Sequence, residues 1–187
     1  MPKWVHLRPA DYRRMRWNNG AGWTTELAVQ DGPEGFDGRI SVAEIDADGD
    51  FSRFPEVDRS ILVLGGAGMV LIVEGSAPAV LRGEDPALVF AGEHAVQCRL
   101  IAGPTRDFNV MTRRGVYTHT LERHTLAQPL ALTGECFVYV CTGTAQVGAL
   151  ALAAGDSLRI AAVPGDSPVT LHGAAELVVA LLRPCGA

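Results

Sequence analysis

Side chains that could bind or transform a small molecule are concentrated in the segment WNNGAGWTTE at residues 17–26. Its two indoles, two amides, two hydroxyls and one carboxylate exceed what a simple turn needs for hydrogen bonding and stacking. The two glycines allow backbone conformations that other residues avoid. Thr24 and Glu26 then share one face of a strand, because side chains alternate. The segment therefore predicts either one wall of a binding site or an Asn-Gly hairpin turn capped by buried tryptophans.

A second polar segment, DFNVMTRR at residues 107–114, has the pattern of a strand with two different faces. Alternation predicts that one face carries Asp107, Asn109, Met111 and Arg113. The opposite face carries Phe108, Val110 and Thr112. Because the first face is polar, it must meet water, a ligand or a partner. Arg113 and Arg114 alternate, so we expect one to point inward and the other to be a surface charge.

Arg59 opens an apolar strand directly after Asp58. Its planar guanidinium can hold a carboxylate by two charge-assisted hydrogen bonds. The alternative is an internal ion pair with Asp58 or Asp107, which is at least as common for an arginine beside acids. Together the three segments predict a polar ligand pocket formed by Trp17, Asn18, Asn19, Trp23, Thr24, Glu26, Arg59, Asp107, Asn109 and Arg113.

Metal and covalent chemistry find no support in the spacing of the reactive residues. The five histidines include no His-x-His pair, and the spacing of His119 and His124 suits neither one strand face nor one helix face. We therefore expect no metal and no cofactor. No Gly-x-Ser-x-Gly elbow and no Cys-x-x-Cys pair occurs. If the protein is an enzyme, we expect Glu26 or His94 to be the general base.

Composition narrows the class of protein and its partners. The net charge of −5, without a long basic run, argues against nucleic acid. Hydrophobic residues make up 48% and charged residues 20%, so the chain should fold, and its 187 residues suit one compact unit. No signal peptide or membrane-span pattern is present, which predicts a cytoplasmic protein. The four scattered cysteines are expected to be buried, reduced thiols.

The elements that must position these residues are short strands. The patterns predict strands at 24–29, 39–45, 61–64, 69–73, 79–81, 88–90, 96–100, 107–114, 137–141, 145–147, 158–160, 169–172 and 177–182. The region 9–15 is the only candidate helical turn. Short strands at spacings of about ten residues are typical of an antiparallel barrel or sandwich. A Gly-acid pair before a strand at both Gly92 and Gly155 hints at two related halves.

Four motifs in this order resemble the HutD/Ves family of cupin-like proteins: residues 17–26, 52–59, 90–93 and 107–114. They cover most of residues 17–115. The resemblance implies an all-β fold, the double-stranded β-helix or RmlC-like jelly roll, arranged as a bicupin with two barrel halves. It implies an N-terminal barrel with the ligand pocket at about 17–115. A C-terminal half at about 116–187 would be completed by N-terminal strands.

The resemblance also implies a function. Family members accompany bacterial histidine-utilisation genes or are stress-associated relatives. They are expected to be metal-free accessory or regulatory binders of a carboxylate metabolite such as urocanate or formylglutamate, with Arg59 as the anchor. Alternatives are a cupin-type isomerase or hydrolase, and a protein-interaction module that tunes a pathway enzyme. We expect the partners to be a small carboxylate, a second copy of the chain or a histidine-pathway enzyme, and neither nucleic acid nor membrane.

Overall fold

The computed structural model describes residues 4–162, 165 and 167–186. In this part of the chain the regular structure is seventeen β-strands and one 3-10 turn at Pro9–Asp11. The strands are β1 (Trp4–Leu7), β2 (Arg13–Arg16), β3 (Gly22–Gly32), β4 (Gly35–Ile45), β5 (Gly49–Asp50), β6 (Val57–Gly65), β7 (Met69–Val73), β8 (Ala79–Leu81), β9 (Leu88–Ala91), β10 (Val96–Leu100), β11 (Thr105–Arg113), β12 (Tyr117–Leu126), β13 (Leu130–Leu132), β14 (Glu135–Val147), β15 (Leu150–Ala153), β16 (Ser157–Ile160) and β17 (Val169–Pro184). None of the described segments is a helix of the length and apolarity that crossing a membrane requires.

One compact unit, Arg13–Thr118, contains two antiparallel sheets that share an apolar core. The six-stranded sheet has the order β2-β3-β4-β11-β6-β9, and the four-stranded sheet has the order β5-β10-β7-β8. Fully buried side chains from both sheets meet in this core, among them Ile45, Ile61, Met69, Leu71 and Cys98. Two facing antiparallel sheets around one core are the arrangement of a cupin-type barrel.

The second unit combines Met1–Tyr12 with His119–Ala187. Its seven-stranded sheet has the order β1-β16-β14-β17-β12, with β13 on β17 and β15 on β14. The early strand β1 enters this sheet beside β16, with Trp4 opposite Ile160 and Leu7 opposite Ser157. Its core is built from apolar side chains that alternate along the long strands.

Two long strands replace pairs of short ones predicted in this unit. The predicted strands at 137–141 and 145–147 are the single strand β14, and those at 169–172 and 177–182 are the single strand β17. Gly143 and Gly173 resemble strand breaks in the sequence, yet both lie inside the ladder at positive φ, 78° and 132°. A Cβ at Gly143 would collide with the carbonyl oxygen of Ala174, so the glycine serves close strand approach.

The helical turn predicted for residues 9–15 is wrong beyond its first residues. Only Pro9–Asp11 forms a 3-10 turn, and Arg13–Arg16 is the strand β2. This strand pairs with β3, with Arg13 opposite Glu26 and Arg16 opposite Trp23. Ladder hydrogen bonds to β3 thus decide the conformation of a segment without an apolar pattern of its own.

The cysteines are free thiols, as predicted, but they are not all buried. Cys98 and Cys136 are buried, Cys141 is intermediate and Cys185 is exposed. Burial raises the pKa of Cys98 to about 12 and that of Cys136 to about 11. Both thiols are therefore protonated at neutral pH and behave as core side chains rather than nucleophiles.

We predict that Tyr12→Phe lowers the free energy of unfolding by about 1–3 kcal/mol. The Tyr12 hydroxyl donates to the carbonyl oxygen of Gly155 at 2.9 Å and lies 2.8 Å from Ser157 Oγ. Ser157 is fully buried, so loss of the Tyr12 hydroxyl leaves the Ser157 hydroxyl without this partner. Urea unfolding measures the effect, and Ser157→Ala is the control. The double variant should cost less than the sum, and strict additivity would contradict the shared hydrogen bond.

Candidate functional site

A cavity of about 360 Å³ lies in the unit Arg13–Thr118, which is within the range of small-molecule sites. Its floor is one face of the six-stranded sheet, formed by Thr24, Arg39, Ser41, Ala43, Arg59, Asp107, Asn109 and Met111. One wall consists of Arg16, Trp17, Asn18 and Asn19. The other wall consists of Asp50, Phe51, Ser52 and Phe54. The cavity thus combines several charged and amide groups with aromatic rings.

The strand register explains why polar side chains converge on this floor. Across the ladders Asp107 lies opposite Ala43, Asn109 lies opposite Ser41, and Met111 lies opposite both Arg39 and Arg59. The small side chains of Ser41 and Ala43 leave space above the sheet, while the longer neighbours reach into it. The alternation predicted for residues 107–113 is present, because Phe108 and Val110 are fully buried on the opposite face.

Arg59 is the most unusual side chain of the cavity, because its guanidinium is buried among aromatic rings. Only 5% of the residue is exposed. The guanidinium carbon lies 5.6, 5.5 and 5.1 Å from the ring centres of Phe51, Phe54 and Phe90. Nη1 donates to the carbonyl oxygen of Ser52 at 3.2 Å, and Nε has no partner. The rings hold the cation by cation–π contacts and leave part of its donor fork available.

The electrostatics of Arg59 reflect this burial. Burial lowers the pKa of Arg59 to about 10, partly offset by the charge of Asp107, so the side chain remains charged at neutral pH. Among the described carboxylates none forms an ion pair with it. Asp58 instead contacts Arg114, at 2.9 Å. The internal ion pair considered as the alternative for Arg59 is therefore absent.

Asp107 and Asn109 supply two buried oxygens without protein partners. Asp107 is 2% exposed, and neither its Oδ1 nor Asn109 Oδ1 accepts a hydrogen bond. Burial raises the pKa of Asp107 to about 7, against the opposing effects of the Arg59 charge and a hydrogen bond to the Ala43 backbone. Buried polar atoms are normally satisfied. Unpartnered atoms on one cavity floor therefore indicate a polar ligand or bound solvent.

The first polar segment is both a hairpin turn and a cavity wall. The Trp17 backbone N–H donates to the carbonyl oxygen of Gly22 at 3.0 Å, and Gly20 has a φ of 72°. The Trp17 indole Nε1 donates to Thr24 Oγ1 at 2.8 Å, and its ring meets Phe51 edge-on. Asn18 beside it also lines the cavity. The segment is thus a turn as well as a cavity wall, but Trp17 and Trp23 are only half-buried and not the buried caps of the alternative.

Three other predicted ligand-binding residues lie outside the lining. Glu26 accepts from Arg39 Nε at 2.7 Å and so orients a lining arginine. The Trp23 ring stacks under the guanidinium groups of Arg14 and Arg16, at 4.5 and 5.1 Å. The third residue, Arg113, binds backbone carbonyl oxygens near the turn between β3 and β4. Trp23 therefore supports Arg16, a lining residue, without lining the cavity itself.

Arg113 and Arg114 differ as the alternation predicts. Arg113 is mostly buried and donates to the carbonyl oxygens of Glu34 and Phe36, at 3.0 and 3.2 Å, which ties down the turn between β3 and β4. Arg114 is a surface charge that contacts Asp58 and Glu93, and its hydrogen bond lowers the pKa of Glu93. Neither arginine lines the cavity.

Sequence reasoning missed several lining residues, among them Arg39, Ser41, Phe51 and Phe54. A usable signal existed for the first two, because alternation from Arg39 to Ala43 sets polar and small side chains against buried Ile40. The two phenylalanines gave no such signal. They belong to the segment between β5 and β6, whose path depends on the tertiary fold.

The two residues predicted as general bases lie away from the cavity. Neither Glu26 nor His94 lines the cavity. No group of three or more His, Cys, Asp or Glu side chains within residues 4–162, 165 and 167–186 could hold a metal ion. Of the titratable groups that do line the cavity, Asp107 has a pKa near neutrality.

Comparison with known proteins gives consistent matches. The HutD family model matches residues 9–179. An uncharacterized 21.2 kDa protein in the hutC 3′ region of Pseudomonas putida is 45% identical over 108 residues, 56% of each chain. Protein Ves of Cronobacter sakazakii is 38% identical over 99 residues, 52% of this chain and 54% of its own. The matched region thus spans about half the length of these curated relatives.

A solved structure extends the match to nearly the whole chain. HutD from Pseudomonas fluorescens SBW25 is 33% identical, with a TM-score of 0.85 over 96% of this chain and 99% of that chain. The all-β bicupin fold class predicted from the sequence is confirmed by this match and by the antiparallel sheets of the chain.

Proposed function

The chain belongs to the HutD family, and on that premise we propose that it is a metal-free protein that binds a small carboxylate-bearing metabolite of histidine utilisation. The observation that carries the proposal is Arg59, a buried guanidinium with an unpartnered Nε beside a cavity. Buried charges are normally paired. The planar guanidinium matches a carboxylate, so an acid in the cavity would supply the missing counter-charge.

The names of the relatives support the pathway and leave the ligand open. One relative lies in the hutC 3′ region of Pseudomonas putida, and another is named HutD. Within this proposal the ligand is of the urocanate or formylglutamate type, and binding it regulates or assists the pathway. A cytoplasmic location, and a second copy or a pathway enzyme as protein partner, stay predictions.

A second candidate, acid–base catalysis on a small acid, is favoured by one observation. Asp107 faces the cavity with a pKa of about 7, which suits a group that takes up and releases a proton at neutral pH. In an isomerase or hydrolase of this kind the base would be Asp107 rather than Glu26 or His94. Product formation from a bound acid would distinguish this candidate from pure binding.

We predict that at least one pathway acid raises the melting temperature of the wild-type chain without added metal. The panel is urocanate, histidine, imidazole propionate, formylglutamate and glutamate. At 100 times its dissociation constant a ligand adds about 2.7 kcal/mol. This corresponds to several degrees at roughly 2–4 °C per kcal/mol.

Primary amides of the same acids are the matched controls, because they keep the size and lose the charge. The proposal expects the acids alone to stabilise the protein. It is overturned if no acid shifts the melting temperature, or if the amides act as strongly as the acids.

A further inference from the structure

Arg59 and Asp107 carry opposite charges into one cavity without forming an ion pair at 4 Å. The two charges nonetheless interact, because the charge of Asp107 raises the pKa of Arg59 and the charge of Arg59 lowers the pKa of Asp107. A ligand that offers only a carboxylate would satisfy Arg59 and place a second negative charge near Asp107. Like charges in a buried site are costly. The ligand that fits both groups must therefore carry more than an acid.

The β11 part of the floor carries two acceptor oxygens without protein partners. Asp107 and Asn109 are alternate residues of one strand, so their Cα atoms lie about 7 Å apart on the same face. Both have a buried, unpartnered oxygen. The nearby Trp17 Nε1 cannot supply the missing donor, because it already donates to Thr24 Oγ1 at 2.8 Å. A donor for these oxygens has to come from the occupant of the cavity.

The expected carboxylate anchor, Arg59, and the two acceptor residues lie at different positions along the strands of the floor. Arg59 is on β6 opposite Met111, one alternate position beyond Asn109 and two beyond Asp107. We take an acid held at Arg59 to extend its other end along β11 toward Asn109 and Asp107. The geometry gives the cavity a cationic end and an acceptor end.

We propose that Asp107 and Asn109 determine specificity by selecting small acids that carry an N–H donor, as in an amide, amine or azole, at the end distant from the carboxylate. The inference rests on the proposed function, because it takes Arg59 as the carboxylate anchor. It goes beyond that function in defining the second half of the ligand and the residues that recognise it.

The test compares two acids that differ at one ring atom, 3-(pyrrol-2-yl)propionate and 3-(furan-2-yl)propionate. The first has a ring N–H where the second has an acceptor oxygen. Calorimetry on the full chain should show the pyrrole acid binding about 10-fold tighter or more, as expected for a charge-assisted hydrogen bond. In Asp107→Asn the preference should narrow or invert, because an amide can also donate.

Asp31→Asn is the matched control, since Asp31 is an exposed carboxylate of the same unit that does not line the cavity, and it should leave the preference unchanged. If Asp107→Asn fails to fold, Asn109→Ser makes the same comparison on the neighbouring acceptor. Equal affinity for the two acids overturns this inference and leaves the proposed function standing. Binding of neither probe overturns both. An unchanged preference in the folded Asp107 or Asn109 variant also overturns the inference.

Discussion

Arg59→Met is expected to weaken acid binding about 100-fold or more, without lowering the free energy of unfolding of the unliganded protein. The loss of affinity follows from removal of two charge-assisted hydrogen bonds, each worth about 1.5–3 kcal/mol. Methionine keeps an unbranched side chain of similar length, so the shape of the cavity changes little.

The stability of the variant follows from the surroundings of the guanidinium. Arg59 is 5% exposed and has one hydrogen bond to the Ser52 carbonyl, without an ion pair to a described carboxylate. Methionine would pack against the same rings of Phe51, Phe54 and Phe90 at no desolvation cost. Without the cation, the pKa of Asp107 rises further, so this carboxyl becomes neutral instead of leaving an unbalanced buried charge.

Calorimetry with the best acid of the panel measures the affinity, and urea unfolding measures the stability. Arg53→Met is the matched control, because Arg53 is exposed and does not line this cavity. Unchanged affinity in Arg59→Met would remove the anchor from the proposal. A large drop in unfolding free energy would instead identify Arg59 as a structural cation of the barrel.

The strands that the sequence predicted best have clear alternation and glycine-rich turns. The strands β7, β8 and β10 have the predicted bounds. The strands β6 and β7 do not pair with each other as a hairpin, because they belong to different sheets. The strand β2 was missed, because its residues RRMR are mostly exposed and carry no apolar pattern. Its conformation depends on pairing with β3. Periodicity within a segment does not reveal with which strand that segment pairs.

The same limit applies to the site. Alternation predicted that Asp107 and Asn109 share a face, and the cavity is on that face. It also placed Arg113 there, but the end of β11 lies beside a turn, where Arg113 binds the carbonyl oxygens of Glu34 and Phe36. Period-two patterns define the face of a side chain but do not define how far along the strand a cavity extends.

Asp107→Asn is expected to raise the free energy of unfolding at neutral pH and to remove part of its pH dependence. Burial raises the pKa of Asp107 from its ordinary value of 3.8 to about 7 in the folded protein. Between these values the folded state binds more protons at this residue than the unfolded state. The wild-type free energy of unfolding therefore falls as the pH rises through this range.

The size of the effect follows from the same pKa difference. It corresponds to at most about 4 kcal/mol, reached above the folded-state pKa and absent well below the unfolded-state value. The charged groups that line the cavity with Asp107 are Arg16, Arg39, Asp50 and Arg59. They are present in both proteins, and the arginines keep their charge across the range. The difference between variant and wild type therefore isolates Asp107.

Urea unfolding of both proteins at several pH values between about 4 and 8 measures this difference. It should be small at the acidic end and grow until the pH passes the folded-state pKa of Asp107. A constant difference would mean that Asp107 keeps its ordinary pKa in the folded protein. Asp37→Asn, which removes a carboxylate outside the cavity, is the control.

A bound acid should change how the free energy of unfolding of the wild-type protein depends on pH. This dependence links the stability of the site to its specificity. An acid with an N–H donor favours ionised Asp107, so at saturation it should flatten the decline in wild-type stability between about pH 4 and 7. An acid without a donor brings only negative charge, raises the folded-state pKa of Asp107 further and should extend that decline to higher pH. Arg59 would then hold either acid, while Asp107 decides which of them the protein retains at neutral pH.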